Sequence, residues 1–313
     1  MNKLAFLKSS WLFTCPISGW THASHPCILH YKDDQWIFAF TCRDNARRSH
    51  VFIAPVTVDD YSLHLTGPIR HSLMPGPKGY FDCDGVISGC LIKDLDKIYL
   101  YYVGWQNLPD GMWICDTGRA VLDPVSLTLS KEFEGPIIGR DRNHPLFAAA
   151  TAFLFVPESH VWHTWYNSGV SWEKVGDKWH HRYGLHHSTS RNGVDWQYKR
   201  GLAIPFKDEN EYAFGRPSVL KLGDSYRMWF SHRGSKGVAS YRMGHAFSED
   251  AEVWHRDDAL AGIDVSSDGW DSEMICYPCV FVRNDDLIML YNGNGYGRTG
   301  IGFAIQKNYE AFL

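Results

Sequence analysis

Residues 269–302 read GWDSEMICYPCVFVRNDDLIMLYNGNGYGRTGIG. A polar loop carrying Trp270, Asp271 and Glu273 leads into an apolar run from Ile275 to Val282. Asn284-Asp285-Asp286 supplies turn residues, and a second apolar run, Leu287 to Tyr291, ends in a glycine-rich loop. Both runs are short, rich in β-branched and aromatic residues, and bounded by turn formers, so the spacing predicts a β-hairpin. The loop Asn292-Gly-Asn-Gly-Tyr-Gly follows a strand, but no helix signal follows it. A tight turn is therefore expected, not a phosphate cradle at a helix N-terminus.

The same unit is written four more times upstream. Aligned on the last aromatic of the second strand, the copies place Phe40, Tyr102, Tyr166, Phe230 and Tyr291 in register, at intervals of 62, 64, 64 and 61 residues. Each is preceded, 13 to 16 positions earlier, by a small or proline residue: Pro26, Val86, Ala150, Pro217 and Pro278. A third strand follows in the later copies, as in Tyr183-Gly-Leu and Tyr241-Arg-Met-Gly. Alternation such as Tyr226, Met228, Phe230 has the period of a half-buried strand. A period near 60 residues with three or four short strands per repeat predicts an all-β, five-bladed β-propeller. The blades are expected at about residues 21–70, 80–130, 143–200, 211–258 and 269–313, in one domain spanning 1–313. The last copy has room for only three strands, so the segment around Leu4–Phe13 is expected to supply the fourth and close the ring, removing exposed edges.

With 44 % hydrophobic residues, 21 % charged and a net charge of −4, the chain lacks the basic excess of a nucleic-acid binder. No run approaches the ~18 apolar residues of a membrane span. The N-terminus has no continuous apolar core of the signal-peptide kind, and the eight cysteines follow no framework spacing. Buried free thiols in a cytoplasmic protein, with no metal or other cofactor, are expected. Cys276 and Cys279 form a CxxC, but on a strand positions i and i+3 face opposite sides.

In a propeller the loops entering each first strand and leaving each second strand line a shared pocket. The entrances carry His25, Asp82 and Asp84, His144, Glu211 and Arg216, and Glu273, with Tyr277 just inside. The exits carry Arg43 and Asp44, Trp105, His232 and Arg233, and Asn292 with Asn294. Carboxylates recurring at one position in three copies suit glycoside chemistry, in which one carboxyl protonates the leaving oxygen and another activates water or attacks. Asp82, Asp84, Glu211 and Glu273 are the catalytic candidates, and the remaining residues are candidates for holding substrate, since arginines and amides grip hydroxyls and carboxylates. His25 and His144 each precede a proline at a blade entrance, where general-base, hydroxyl and metal contacts are all open.

The pattern resembles the five-bladed β-propeller glycoside hydrolases of families 32, 43, 68, 117 and 130, above all family-43-like members associated with bacterial polysaccharide gene clusters. The residues that carry the resemblance are Gly79-Tyr-Phe-Asp82 with Gly85-Val86, Glu211-Tyr-Ala-Phe-Gly-Arg-Pro217, Met228-Trp-Phe-Ser-His-Arg-Gly234, and Gly269 to Met274 through Asn294. It implies a carbohydrate substrate and a set made of an aspartate base or nucleophile, a second aspartate that tunes and orients, and a glutamate acid; Asp82 matches an aspartate of that set and Glu211 or Glu273 the glutamate. One departure stands out: where such enzymes carry the base aspartate in the first blade, this chain has Ser24-His25-Pro26. Three activities follow as expectations: hydrolysis of a polar sugar, with an anionic one as a variant; phosphorolysis or transfer; and carbohydrate binding without catalysis.

Overall fold

The computed structural model describes residues 4–175 and 177–309; the last part of the fifth repeat, 310–313, lies outside them. The described chain is almost entirely β, organised as five antiparallel meanders. The first comprises β2 (Thr21–Lys32), β3 (Gln35–Arg43) and β4 (Ser49–Val58), with the short β5 (Leu63–Leu65) and β6 (Arg70–Leu73) both paired to β4; β1 (Leu7–Phe13) precedes it. The second is β7 (Gly85–Asp94), β8 (Lys97–Asn107), β9 (Trp113–Asp123) and β10 (Thr128–Lys131). The third is β11 (Ala148–Val156), β12 (Val161–Val175), β13 (Lys178–Ser190) and β14 (Trp196–Tyr198). The fourth is β15 (Ala213–Leu222), β16 (Ser225–Arg233), β17 (Arg242–Ser248) and β18 (His255–Arg256). The fifth is β19 (Cys276–Arg283), β20 (Asp286–Asn292) and β21 (Ile301–Gln306), and β1 pairs antiparallel with β21 as its outer strand.

The five first strands neighbour one another in turn, β2 beside β7, then β11, β15, β19 and β2 again. Both faces of each sheet are therefore covered, which is why β3, β8 and β20 read as near-continuous apolar runs and are buried almost throughout. Each neighbouring pair of meanders shares an apolar layer: Tyr99 and Tyr101 meet Phe153 and Trp162, for example, and Phe38 and Phe40 of the first meander pack on Leu290 and Phe303 of the fifth. Each fully buried side chain of this size contributes about 1.5–3 kcal/mol.

At least one side-chain hydrogen bond also ties each first strand to the preceding meander. Thr41 Oγ1 accepts from the Ser88 amide, Thr117 Oγ1 from Ala150, and Ser231 Oγ from Tyr277, while Asn167 Nδ2 donates to the Phe214 carbonyl. Between the fifth and first meanders the tie is Asn292, whose Oδ1 accepts from the His25 amide at 3.2 Å and whose Nδ2 donates to the Ala23 carbonyl at 3.4 Å. Gly297 supports it from behind, with φ +90°; an added Cβ would stand 2.5 Å from the Ala23 oxygen and closer still to Asn292 Nδ2. Gly297→Ala is therefore expected to cost at least about 2 kcal/mol, read as a lowered urea midpoint. An unchanged midpoint would show that this junction yields at no cost.

Opposite Tyr102 stand Ser88 and, in a bulge, Gly89, so a glycine fills the place that Pro26, Pro217 and Pro278 hold in the first, fourth and fifth meanders. The loop after β20 contains a single helical turn, Asn294–Gly297, but Gly295 and Tyr296 are left-handed within it, so it remains a turn and presents no row of amides. All eight cysteines are free.

Candidate functional site: a carboxylate-free pocket where the five first strands meet

Every first strand carries a β-bulge at the same level, opposite the repeat-marking aromatic: between Ser24 and Cys27, Ser88 and Cys90, Ala150 and Ala152, Gly215 and Ser218, and Cys276 and Cys279. A bulge leaves residues unpaired and re-aims a side chain. In three of the five the bulge is an X-Pro pair whose first residue has positive φ: His25 (51°), Arg216 (33°) and Tyr277 (57°). Proline suits the second place because no ladder hydrogen bond is asked of it. A left-handed non-glycine residue is costly, about 1–3 kcal/mol, and such strain gathers at functional sites. All three strained side chains line one central pocket.

That pocket, ≈ 90 Å³, is walled by His25 from the first meander, Trp105 from the second, Phe147 and Asn167 from the third, and Tyr183, Arg216, Tyr241 and Tyr277 from the third, fourth and fifth. Further along the same strands lies a second, apolar space of ≈ 240 Å³, and Arg216 and Thr151 belong to the walls of both. No Asp or Glu lines either space.

Arg216 is buried. Its Nη2 donates to the Gly89 carbonyl at 2.8 Å, and its Nη1 has no partner. The carbonyl is reachable because Gly89 lies against the Tyr101 backbone, where a Cβ would stand 2.5 Å from the Tyr101 oxygen. His25 stacks on Tyr277 with ring centres 4.4 Å apart, and its Nδ1 meets the Ser24 hydroxyl at 3.0 Å. Burial, then Arg216 and Arg43, hold the His25 imidazole well below its ordinary pKa, so it is neutral at pH 7. The Tyr183 and Tyr241 hydroxyls share a 2.6 Å hydrogen bond. Arg233 sits over the Tyr241 and Tyr212 rings and donates to the Tyr296 hydroxyl at 2.8 Å; its Nε has no partner. Arg43 is held below its usual pKa by burial, against the influence of Tyr277 and Tyr296. Among the described residues none of these three arginines forms an ion pair, whereas the buried Arg119 and the half-buried Arg256 are each matched to a glutamate.

The four carboxylates expected to act together do not gather here. Asp82 is buried against Lys131 of β10 at 2.6 Å and the Tyr102 hydroxyl at 3.3 Å. Glu211 is fully buried, gripped by both Arg256 nitrogens of β18 at 2.7 and 2.8 Å and by His232 Nδ1 at 3.0 Å. In the fifth meander the matching acid is Asp271, not Glu273; it meets Lys8 of β1 at 2.6 Å and the Tyr291 hydroxyl at 3.0 Å. The recurrence thus has a physical origin: an acid at the entrance reaches outward along its own meander and locks the outermost strand by a charge-assisted bond. Asp84 accepts from the Asn107 amide at 2.9 Å, and Glu273 is exposed.

Of the other candidates, His25, Trp105, Arg216 and Tyr277 line the pocket. Arg233 and Arg43 lie among the tyrosines beside it. His232 serves Glu211, and Asp44 holds Arg48 and His50 at 2.9 and 3.2 Å. Asn292 ties the fifth meander to the first, and Asn294 Oδ1 accepts from the amides of Glu273 and Met274. His144 lies in the third meander, bonded to Tyr166 and Ser168, outside the central pocket. Tyr183, inside β13, and Tyr241, just before β17, are additions that the sequence reading misses, although both hold one repeat position. No cluster of three His, Cys, Asp or Glu able to hold a metal occurs among the described residues, and no helix there is long and apolar enough to cross a membrane.

The fold has close counterparts among solved structures. The complex of BT0996 with RGII superposes with a TM-score of 0.74 at 15 % identity, covering 97 % of this chain and 92 % of its counterpart. A thermostable family-43 glycoside hydrolase gives 0.63 at 17 %, covering 94 % and 91 %. An N-acetylgalactosamine deacetylase from F. plautii, in complex with blood group B trisaccharide, gives 0.64 at 12 %, covering 97 % and 95 %. The chain has the β-propeller fold of the family 43 and 32 glycoside hydrolases, and at these identities the likeness establishes the fold alone. No family model matches the chain. Two uncharacterized proteins of Mycobacterium tuberculosis, MT1551 of strain CDC 1551 and Rv1502 of strain H37Rv, are each 33 % identical over 288 residues, covering 92 % of this chain and 93 % of theirs. The chain belongs to the family of these two mycobacterial proteins.

Proposed function

We propose that the protein is a carbohydrate-binding, five-bladed propeller, its ring closed through β1, whose central pocket takes an anionic sugar with the acid group directed to Arg216. The observation that carries this is the buried guanidinium with an unpartnered nitrogen in a pocket without carboxylates. A buried charge left unpaired costs several kcal/mol; a carboxylated, sulfated or phosphorylated ligand would supply the missing partner. Tyrosine, tryptophan and histidine faces suit the apolar face of a pyranose, and Asn167 and the paired tyrosine hydroxyls suit its hydroxyl groups.

Two-carboxylate glycoside cleavage draws no support from the positions of Asp82, Asp84, Glu211 and Glu273. A second reading, turnover of the bound sugar, is favoured by one observation: His25 occupies the first-blade place of the base aspartate, neutral and strained. Because the Ser24 hydroxyl donates to the Thr41 carbonyl, His25 Nδ1–H is the donor to Ser24, and the neutral imidazole then offers Nε2 as a proton acceptor. Phosphorolysis would require Arg43, Arg216 or Arg233 to hold inorganic phosphate.

Isothermal titration of the full chain with galacturonate, galactose and inorganic phosphate tests these readings. Galacturonate is expected to bind at least about tenfold more tightly than galactose, the scale of one charge-assisted contact. Equal affinity for the two sugars, or binding of neither, would remove the anionic-sugar reading. Phosphate competing for the same site would favour phosphorolysis. His25→Asn is expected to lower turnover of a galacturonide by at least about 100-fold, well beyond the loss of binding that follows from removing its ring face.

A further inference from the structure

The lock that secures the outer strand in three meanders is absent from the third. There the acid's place is held by His144 and the outer-strand cation's place by Tyr198. His144 spends its nitrogens on the Tyr166 hydroxyl at 2.9 Å and the Ser168 hydroxyl at 2.8 Å, and packs edge-on against Tyr198 and His186 at 4.8 and 5.2 Å. Over these rings the structure opens a cavity of ≈ 510 Å³, walled also by Trp196, Arg142 and Arg200. In the second, fourth and fifth meanders an ion pair occupies the corresponding place: Asp82 with Lys131, Glu211 with Arg256, Asp271 with Lys8.

The charges around this cavity are legible. Arg142 and Arg200 are exposed and form no ion pair among the described residues, and Lys199 is engaged by Glu252. Two acids lie near: Asp141 turns its carboxylate onto the amides of Asn143 and His144, and Asp116 is engaged by Arg140. His186 is neutral at pH 7, lowered to about 4 by burial and by His144. Two aromatic faces and two neutral imidazoles thus form the floor, and two free guanidinium forks stand at the rim. Guanidinium forks match carboxylate and phosphate oxygens two at a time, while indole and phenol faces suit the C–H face of a sugar.

We propose that this cavity of the third meander is a second carbohydrate site, separate from the central pocket, which holds an anionic sugar unit between Trp196 and the Arg142–Arg200 pair. A polymer bound at the centre would then gain a second point of attachment, and linked sites raise apparent affinity without any new contact at the first. The site stands on its own residues and does not depend on what the central pocket binds.

Two tryptophans report the two sites separately, Trp196 here and Trp105 at the centre. The full chain, labelled with ¹⁵N-tryptophan, is titrated with galacturonate, galactose and inorganic phosphate, the indole signals being assigned from Trp196→Phe and Trp105→Phe. Galacturonate is expected to shift the Trp196 indole signal saturably. In the Arg142→Ser/Arg200→Ser double variant the apparent affinity from that shift falls at least about tenfold, while Arg216→Met leaves it unchanged. A Trp196 signal unmoved by galacturonate, or moved equally by phosphate or galactose, or lost with Arg216→Met, overturns the proposal. Movement of Trp196 with Trp105 silent would instead sustain this site and overturn the central one.

Discussion

Arg216→Met is expected to hold or raise the stability of the fold while removing its affinity for an anionic sugar. The side chain is buried, has one hydrogen bond and carries an unpartnered Nη1. Replacing an uncompensated buried charge by an apolar chain of similar length is often neutral or stabilising, by about 1–4 kcal/mol. Loss of the bond to the Gly89 carbonyl offsets about 1 kcal/mol of that. Truncating the cationic partner of a buried charge-assisted contact costs binding about 2 kcal/mol or more, roughly thirtyfold. Stability and affinity thus move in opposite senses, as at sites where function is bought with strain. A third readout is His25, held down first by burial and then by Arg216 and Arg43; with Arg216 gone its pKa rises toward the ordinary histidine value, visible in the pH dependence of its ring proton shifts. A variant that unfolds more easily yet binds galacturonate as before would make Arg216 a structural residue.

Glu211→Gln is expected to act on stability and not on chemistry. The carboxylate is fully buried; burial pushes its pKa up, but Arg256, His232 and the Lys207 amide outweigh burial and hold it down to about 2, against 4.5 ordinarily. A depressed folded-state value means the contribution is complete above about pH 4.5 and is lost as pH falls from there through about 2. The difference corresponds to about 3 kcal/mol. Glutamine keeps the shape but cannot match both guanidinium nitrogens of Arg256, so the variant should lose about 3 kcal/mol at pH 7 and show a flatter stability profile between pH 4.5 and 2. Chemical denaturation at several pH values measures both. Full stability at pH 7, accompanied by lost turnover of a glycoside, would return Glu211 to the role of a catalytic acid.

These two residues mark how far the candidate site is legible in the sequence. Arg216 stands out because it precedes a proline at a strand entrance, and His25 and Tyr277 occupy the same place in their repeats; the shared X-Pro bulge turns all three inward. Glu211 and Asp82 stand out for an equally regular feature, an acid recurring at equivalent entrances. Periodicity cannot tell which way a side chain leaves the strand, and these acids turn outward to Lys131 and Arg256 in outer strands 45 or more residues away along the chain. Tyr183 and Tyr241 share a visible repeat position, but aromatics at strand starts also fill cores.

The hairpin of residues 269–302 illustrates the same division. Its two short apolar runs, turn residues and four upstream copies suffice for two strands and for the repeat, because strand formation and burial are local consequences of residue pattern. Three of its contacts reach two residues beyond its own sequence. Lys8 reaches Asp271 from the other end of the chain, Asn292 ties to His25, and Tyr277 stacks on that same histidine. Sequence by itself determined the repeating unit and its strands, and of the residues expected at the mouth His25, Trp105, Arg216 and Tyr277 line the pocket. Only the tertiary structure decided which of those residues face one another, because a charge becomes a ligand group or a strut according to whether the fold brings an opposite charge within reach.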